Sequence, residues 1–179
     1  MKITRLVVGP IETNCYLLEK ENQVLIIDPG EESKRIKKTI GDRKVVGILI
    51  THYHFDHIGA LKELTNFYQV PVYDIHSLKE GINQVAPFTF EMIPTPGHKE
   101  DLISVYFKEE QVMFVGDFIF QGSIGRMDLP GGNSIDMKHS LEKLKQYPKE
   151  ITIYPGHGEK TTLQEEILKN PYFFAFEQE

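Results

Sequence analysis

The chain has 179 residues, 40% of them hydrophobic and 26% charged: room for one sizeable core but not for two, so residues 1–179 are read as a single domain. Its 26 acidic and 20 basic side chains leave a net charge of −6, which argues against a surface built to grip nucleic acid or an anionic membrane. The single cysteine, Cys15, excludes an intrachain disulfide and fits a reducing, cytoplasmic setting, and no segment reads as a signal peptide or a membrane span.

In chain order, "KITRLVV", "NCYLLE" and "QVLIIDPG" are short β-type runs punctuated by Pro10 and Pro29-Gly30. The stretch "EESKRIKKTIGDRK" predicts an amphipathic helix, with Ile36 and Ile40 four apart and Gly41 closing it. "VVGILI" is a continuous apolar run, as expected of a strand covered on both faces, and leads directly into "THYHFDH". A helix is expected over "IGALKELTNFY", then a strand at "VPVYDI". The second part repeats this grammar: strands at "FTFEMIPTPGH", "LISVYFK" and "QVMFVGD", a Gly-rich loop "QGSIGRMDLPGGN" and a helix at "SIDMKHSLEKLKQY". A last strand, "EITIYPGHG", and a last helix, "TTLQEEILKN", follow. Strands in runs with helices between and after them predict an α/β fold of two mixed sheets packed on each other, helices outside, in two similar halves.

The densest chemistry is "THYHFDH", where His52, His54, Asp56 and His57 crowd together with no packing reason to do so. Three more donors end strand-like runs, each directly after a glycine that would let the chain turn: His98 in "TPGH", Asp117 in "FVGD" and His157 in "YPGH". Seven nitrogen and oxygen donors without a thiolate suit zinc, iron or manganese, and they are too many for one ion but fit two. His52 and His54 would hold one ion with His98, Asp56 and His57 the other with His157, and Asp117 would bridge them. His139 falls among Lys and Glu on a helix and reads as surface, and His76 lacks the strand-end setting.

"THYHFDH", "TPGH", "VGD" and "YPGHG", in this order, resemble the signature of metallo-β-lactamase-fold hydrolases, and the likeness extends from "GPIETNCYLLE" and "IIDPG" to "PGHG". It implies an αβ/βα four-layer sandwich and the same seven metal ligands, with Asp56 also orienting the attacking water. "FVGDFIFQGSIGRMDLPGGN" resembles the small glyoxalase II-like, or hydroxyacylglutathione hydrolase-like, members. That implies two divalent ions, zinc foremost, and hydrolysis of a small-molecule thioester by hydroxide generated between them. The commonest zinc β-lactamases would carry Arg at His57 and Cys at Asp117.

Two departures matter. After "TPGH" the chain continues "KEDLIS" where the family often has Thr-Pro-Gly-Ser, and no counterpart of the C-terminal glutathione-binding helical domain is present. The thiol is therefore left open. An iron-dependent persulfide dioxygenase, built on nearly the same ligands, is the alternative activity. Arg126 and Asp128 in the Gly-rich loop are candidates to touch substrate or, as an ion pair, to pin that loop. Lys138, Lys143 and Lys145 read as a solvated helix face, and the aromatic tail Tyr172, Phe173, Phe174 and Phe176 as core packing.

Overall fold

The computed structural model describes residues 1–175, so Phe176 lies outside the described residues. The first sheet contains β1 (Lys2–Val8), β2 (Thr13–Lys20), β3 (Gln23–Ile27), β4 (Lys44–Leu49) and β5 (Val72–Tyr73), side by side in chain order. β1, β2 and β3 pair antiparallel, whereas β3, β4 and β5 run parallel. Parallel neighbours need crossovers. These contain α1 (Ser33–Ile40) and, after the single-turn α2 (Phe55–Ile58), α3 (Leu61–Tyr68).

The second sheet holds β6 (Gly81–Val85), β7 (Phe88–Pro94), β8 (Ile103–Phe107) and β9 (Val112–Gly116), then β12 (Thr152–Pro155) and β13 (Thr161–Thr162). Its spatial order is β13-β12-β9-β8-β7-β6. β9 and β12 are parallel, joined by a crossover with a small hairpin, β10 (Ile119–Phe120) with β11 (Ser123–Ile124), and α4 (Ser134–Leu144). Asn133 caps α4 by accepting from the Ile135 and Asp136 amides. α5 (Leu163–Lys169) and α6 (Tyr172–Ala175) follow.

Period-two alternation sorts the strand side chains into layers. On β2 and β3, Tyr16, Leu18, Leu25 and Ile27 face the second sheet and meet Phe88, Phe90, Phe107 and Phe114. Their neighbours Cys15, Leu17, Val24 and Ile26 face outward, under Ile36 and Ile40 of α1 and Leu64 of α3. The other sheet likewise turns Ile93, Met113 and Val115 toward Met137, Leu141 and Leu144 of α4. This is the expected αβ/βα sandwich.

Several elements differ from expectation. The helix expected over residues 58–68 is broken at Gly59 and Ala60 into α2 and α3, and the strand expected at "VPVYDI" is only two residues long. β6, an edge strand with outward Ile82 and Gln84, has too few buried side chains to announce itself. Lys143 is not simply solvated: its ammonium donates to the Pro94 carbonyl at 2.9 Å. In the tail, Phe173 is buried against α4, while Tyr172 and Phe174 are partly exposed.

Candidate metal centre

Strand direction decides where the donors meet. β4 ends just before His52 and His54, and the turn α2 then carries Asp56 and His57. β7, β9 and β12 point the same way in their sheet, so His98, Asp117 and His157 all emerge at one edge. Two glycines let this edge close. Gly116 has φ +52°, and a Cβ there would lie 2.4 Å from the Thr51 hydroxyl. Gly156 has no such φ; its need is space, since a Cβ would sit 2.2 Å from Asp117 Oδ1. Glycine before a donor thus serves torsion and close approach together at Gly116, and close approach alone at Gly156.

The seven donors form two groups. His52, His54 and His98 can each bring one nitrogen within 4.8 Å of the others, and Asp56, His57, Asp117 and His157 do the same. Asp117 reaches both: Oδ2 lies 3.9 Å from His52 Nε2 and 3.6 Å from His98 Nε2, while Oδ1 lies 3.2 Å from His57 Nε2. His157 Nε2 stands 3.2 Å from Asp56 Oδ2 and 3.4 Å from Asp117 Oδ2. His54 Nδ1 faces His98 Nε2 at 2.9 Å.

Three atoms in this ring, His52 Nε2, His57 Nε2 and Asp117 Oδ1, are buried without a hydrogen-bond partner. Orphaned buried polar atoms are costly, and here they converge, which is the pattern of donors awaiting a cation. The set is all imidazole and carboxylate, so it fits divalent first-row ions, and its division into two groups fits two of them.

The far sides of the rings are tied down. His98 Nδ1 donates to the Arg126 carbonyl at 2.7 Å and His157 Nδ1 to the Ile11 carbonyl at 3.1 Å, leaving each Nε2 for the cluster. His57 Nδ1 lies 2.9 Å from Asp28 Oδ2, and His52 Nδ1 lies 3.1 Å from Thr51 Oγ1, which donates to the same Asp28 oxygen at 2.6 Å. Asp28 Oδ1 accepts the Thr51 amide at 2.8 Å. Asp28 also falls within ligand range of His52 and His57, but its oxygens are already engaged on the outer side of the rings. It is a support, and it was not singled out from the sequence. The available signal was an aspartate ending an apolar strand parallel to β4. Its φ of +51° adds a strained, and so informative, backbone.

Electrostatics point the same way. His52 is held well below its ordinary range, first by burial and then by His57, and His54 is lowered by burial and His98. Burial opposes charge on His57 too, but Asp117 and Asp28 outweigh it and raise this group. For His157, burial is outweighed by hydrogen bonds to Asp117 and Asp56, which push it up to about 10. Burial would raise Asp56 and Asp117, yet His157 and His57 hold both well below the carboxylate range. Without a cation, protons on two histidines supply the positive charge that the carboxylates demand.

The remaining candidates lie apart from this chemistry. Arg126 and Asp128 form an exposed bidentate pair, with both hydrogen bonds at 2.7 Å. What fixes the loop to the cluster is the Arg126 main-chain carbonyl. His76 and His139 are exposed.

A family model of the metallo-beta-lactamase superfamily matches residues 8–89 and 79–157. The "Probable metallo-hydrolase YqgX" of Bacillus subtilis is 35% identical over 98% of this chain and 99% of its own length. The "Hydroxyacylglutathione hydrolase GloC" of Haemophilus influenzae is 31% identical over 96% and 98%. Among solved structures, the BLEG-1 B3 metallo-beta-lactamase superposes with a TM-score of 0.91 at 30% identity, covering 96% of this chain and 99% of that one. TTHA1623 in a di-iron-bound form gives 0.87 at 31% identity over 94% and 99%. With the strand-end donors, their supports and these likenesses in agreement, the chain belongs to the metallo-beta-lactamase superfamily, as a metal-dependent hydrolase.

Proposed function

We propose that the protein hydrolyses small-molecule thioesters in the manner of glyoxalase II, with two zinc ions. The observation that carries this reading is Asp117, which stands between the two groups: Oδ2 faces His52 and His98 on one side and His157 on the other, and Oδ1 faces His57. The relative named as a hydroxyacylglutathione hydrolase supports the substrate class. His52, His54 and His98 would hold one ion and Asp56, His57 and His157 the other, with Asp117 shared. Bound there, the ions would supply a nucleophilic hydroxide at neutral pH and a Lewis acid for the carbonyl. Asp28 and Thr51 keep the rings of His52 and His57 in the tautomer that presents Nε2. Asp56, steadied by the Thr13 hydroxyl at 2.8 Å, would accept a hydrogen bond from the attacking water and so aim it. A departing thiolate, with a conjugate acid near ~8.5, needs no general acid.

The acidic net charge supports a small-molecule substrate over nucleic acid, and the lone buried Cys15 suits a cytoplasmic protein of one domain. No helix among the described residues is long and apolar enough to cross a membrane.

A second reading is the iron-dependent persulfide dioxygenase, which would hold a single iron on these ligands; the likeness to a protein solved in a di-iron-bound form supports iron as a metal for such a donor set, not the activity. Elemental analysis of protein purified without chelator, with S-lactoylglutathione hydrolysis on the same sample, tests the first. Two ions per chain with turnover is the expected result. Iron, no thioester cleavage and oxygen uptake with glutathione persulfide would replace it with the second.

A further inference from the structure

Beside the cluster lies a cavity of about 270 Å³ that the hydrolytic chemistry leaves unused. Its walls are the β1–β2 turn, with Val8, Pro10 and Ile11, the loop after β3, with Gly30 and Glu31, and α2, with Phe55 and Gly59. Two of these walls, the loop after β3 and α2, touch backbone to backbone. A Cβ on Gly30 would sit 1.8 Å from the Asp56 carbonyl, and one on Gly59 would sit 2.2 Å from the Gly30 carbonyl.

Three observations say what belongs there. First, the cavity is continuous with the catalytic end: Thr13 and Asp56, hydrogen-bonded to each other, form part of its wall. Second, it is flanked by two apolar side chains left in water, Phe55 at 76% exposure and Ile11 at 48%. Scattered exposed apolar residues are ordinary, but two on the rim of one concave apolar site beside a reactive centre mark a binding surface. Third, both charged side chains on its wall, Glu31 and Asp56, are acidic. A carboxylate-ended group would be repelled. The volume is just below that of pockets that take whole drug-sized ligands, so it suits one arm of a substrate.

We propose that this cavity binds an apolar, uncharged arm of the substrate, with Phe55 and Ile11 closing over it and Glu31 excluding anionic arms. The proposal rests on the hydrolase reading for its reaction, not for the binding itself. Either half of a thioester could carry such an arm, on the acyl carbon or on the leaving thiol.

Two substrate series separate these sources: acyl chains lengthened on one fixed uncharged thiol, and alkyl thiols lengthened on one fixed acetyl group. In one series kcat/KM should rise about fourfold per added methylene, the value for burying a CH₂, until the cavity is full. Phe55→Ala should flatten that rise. A carboxylate at the chain end should abolish the gain, and Glu31→Gln should restore part of it.

Binding is read independently of turnover because the chain contains no tryptophan. Phe55→Trp, or Ile11→Trp if the first perturbs the turn, places a single tryptophan on the rim of the protein as purified, and amide probes offer no thioester to cleave. Titration with butanamide, pentanamide and hexanamide should shift its emission, with affinity rising along the series. Shifted emission without thioester cleavage would sink the proposed reaction and leave the cavity's role standing. Flat profiles in both substrate series together with unshifted emission would overturn the cavity's role, whatever the enzyme does with acetyl thioesters.

Discussion

Asp28 Oδ2 lies 2.9 Å from His57 Nδ1 and takes the Thr51 hydroxyl at 2.6 Å, so one carboxylate oxygen steadies rings in both groups of donors. It engages the rings from their Nδ1 sides, directly at His57 and through Thr51 at His52, and leaves each Nε2 to the cluster. Supports of this kind tune affinity more than they create it. Asp28→Asn should weaken binding of the ions about 10- to 100-fold while the fold survives. Competition against a chromophoric chelator measures this; an unchanged affinity would show that the rings are held by packing alone.

The metal-free and metal-loaded proteins should differ in their response to pH. In the metal-free cluster, His157 is raised from 6.5 to about 10 by Asp117 and Asp56 acting against burial. Its contribution to stability is therefore fully present below about 6.5 and is lost as pH rises toward about 10. His57 is raised as well and adds to the same alkaline loss. EDTA-treated protein should show a falling thermal midpoint between pH 7 and 10, and the loaded protein should not, because a cation replaces those protons. Loading at pH 7 should accordingly release protons, readable with an indicator dye in weak buffer.

The Arg126–Asp128 pair is exposed, at 61% and 67% of the two side chains, and such pairs contribute little. His98 leans on the Arg126 carbonyl, which any side chain leaves in place. Arg126→Ala should leave the thermal midpoint and the metal content unmoved. A drop in metal content would mean that the pair shapes the loop that aims His98. A raised KM at constant metal content would instead assign the guanidinium to substrate.

Cys15 is fully buried among the outward residues of the first sheet, and burial pushes its thiol far up. A thiol reagent should not react with it until the protein unfolds. Cys15→Ser puts a hydroxyl where the thiol packs and should cost about 1–3 kcal/mol in chemical denaturation. Labelling of the native protein at the rate of a free thiol would contradict this packing.

Much of this was legible because the same residues satisfy several demands at once. "VVGILI" is apolar throughout since β4 is covered by α-helices on one side and the other sheet on the other, and its end had to be the start of "THYHFDH". The donors at residues 98, 117 and 157 could be found because each follows a glycine at a strand end. What stayed hidden depends on partners remote in sequence. Asp28 looks like an ordinary turn residue before Pro29-Gly30; only its approach to Thr51 and His57 reveals its work. β6 is an edge strand whose polar Asn83 and Gln84 obey no core, and β10 and β11 are too short to carry a pattern. The cavity beside Asp56 is formed by three segments drawn together by the fold, so no local spacing could announce it.

The donor atoms are divided between the two sheets: His52, His54, Asp56 and His57 leave the first, and His98, Asp117 and His157 leave the second. The segments around them are already laced together, with Asn14 donating its amide to the Gly156 carbonyl at 2.7 Å and its side chain to the Pro155 carbonyl at 3.0 Å. An ion coordinated from both sides would be a clasp across the seam of the sandwich. Neither half alone can assemble the reaction centre. Wear at that seam, by heat or by a chelator, would therefore silence the chemistry before the outer helices have begun to come away.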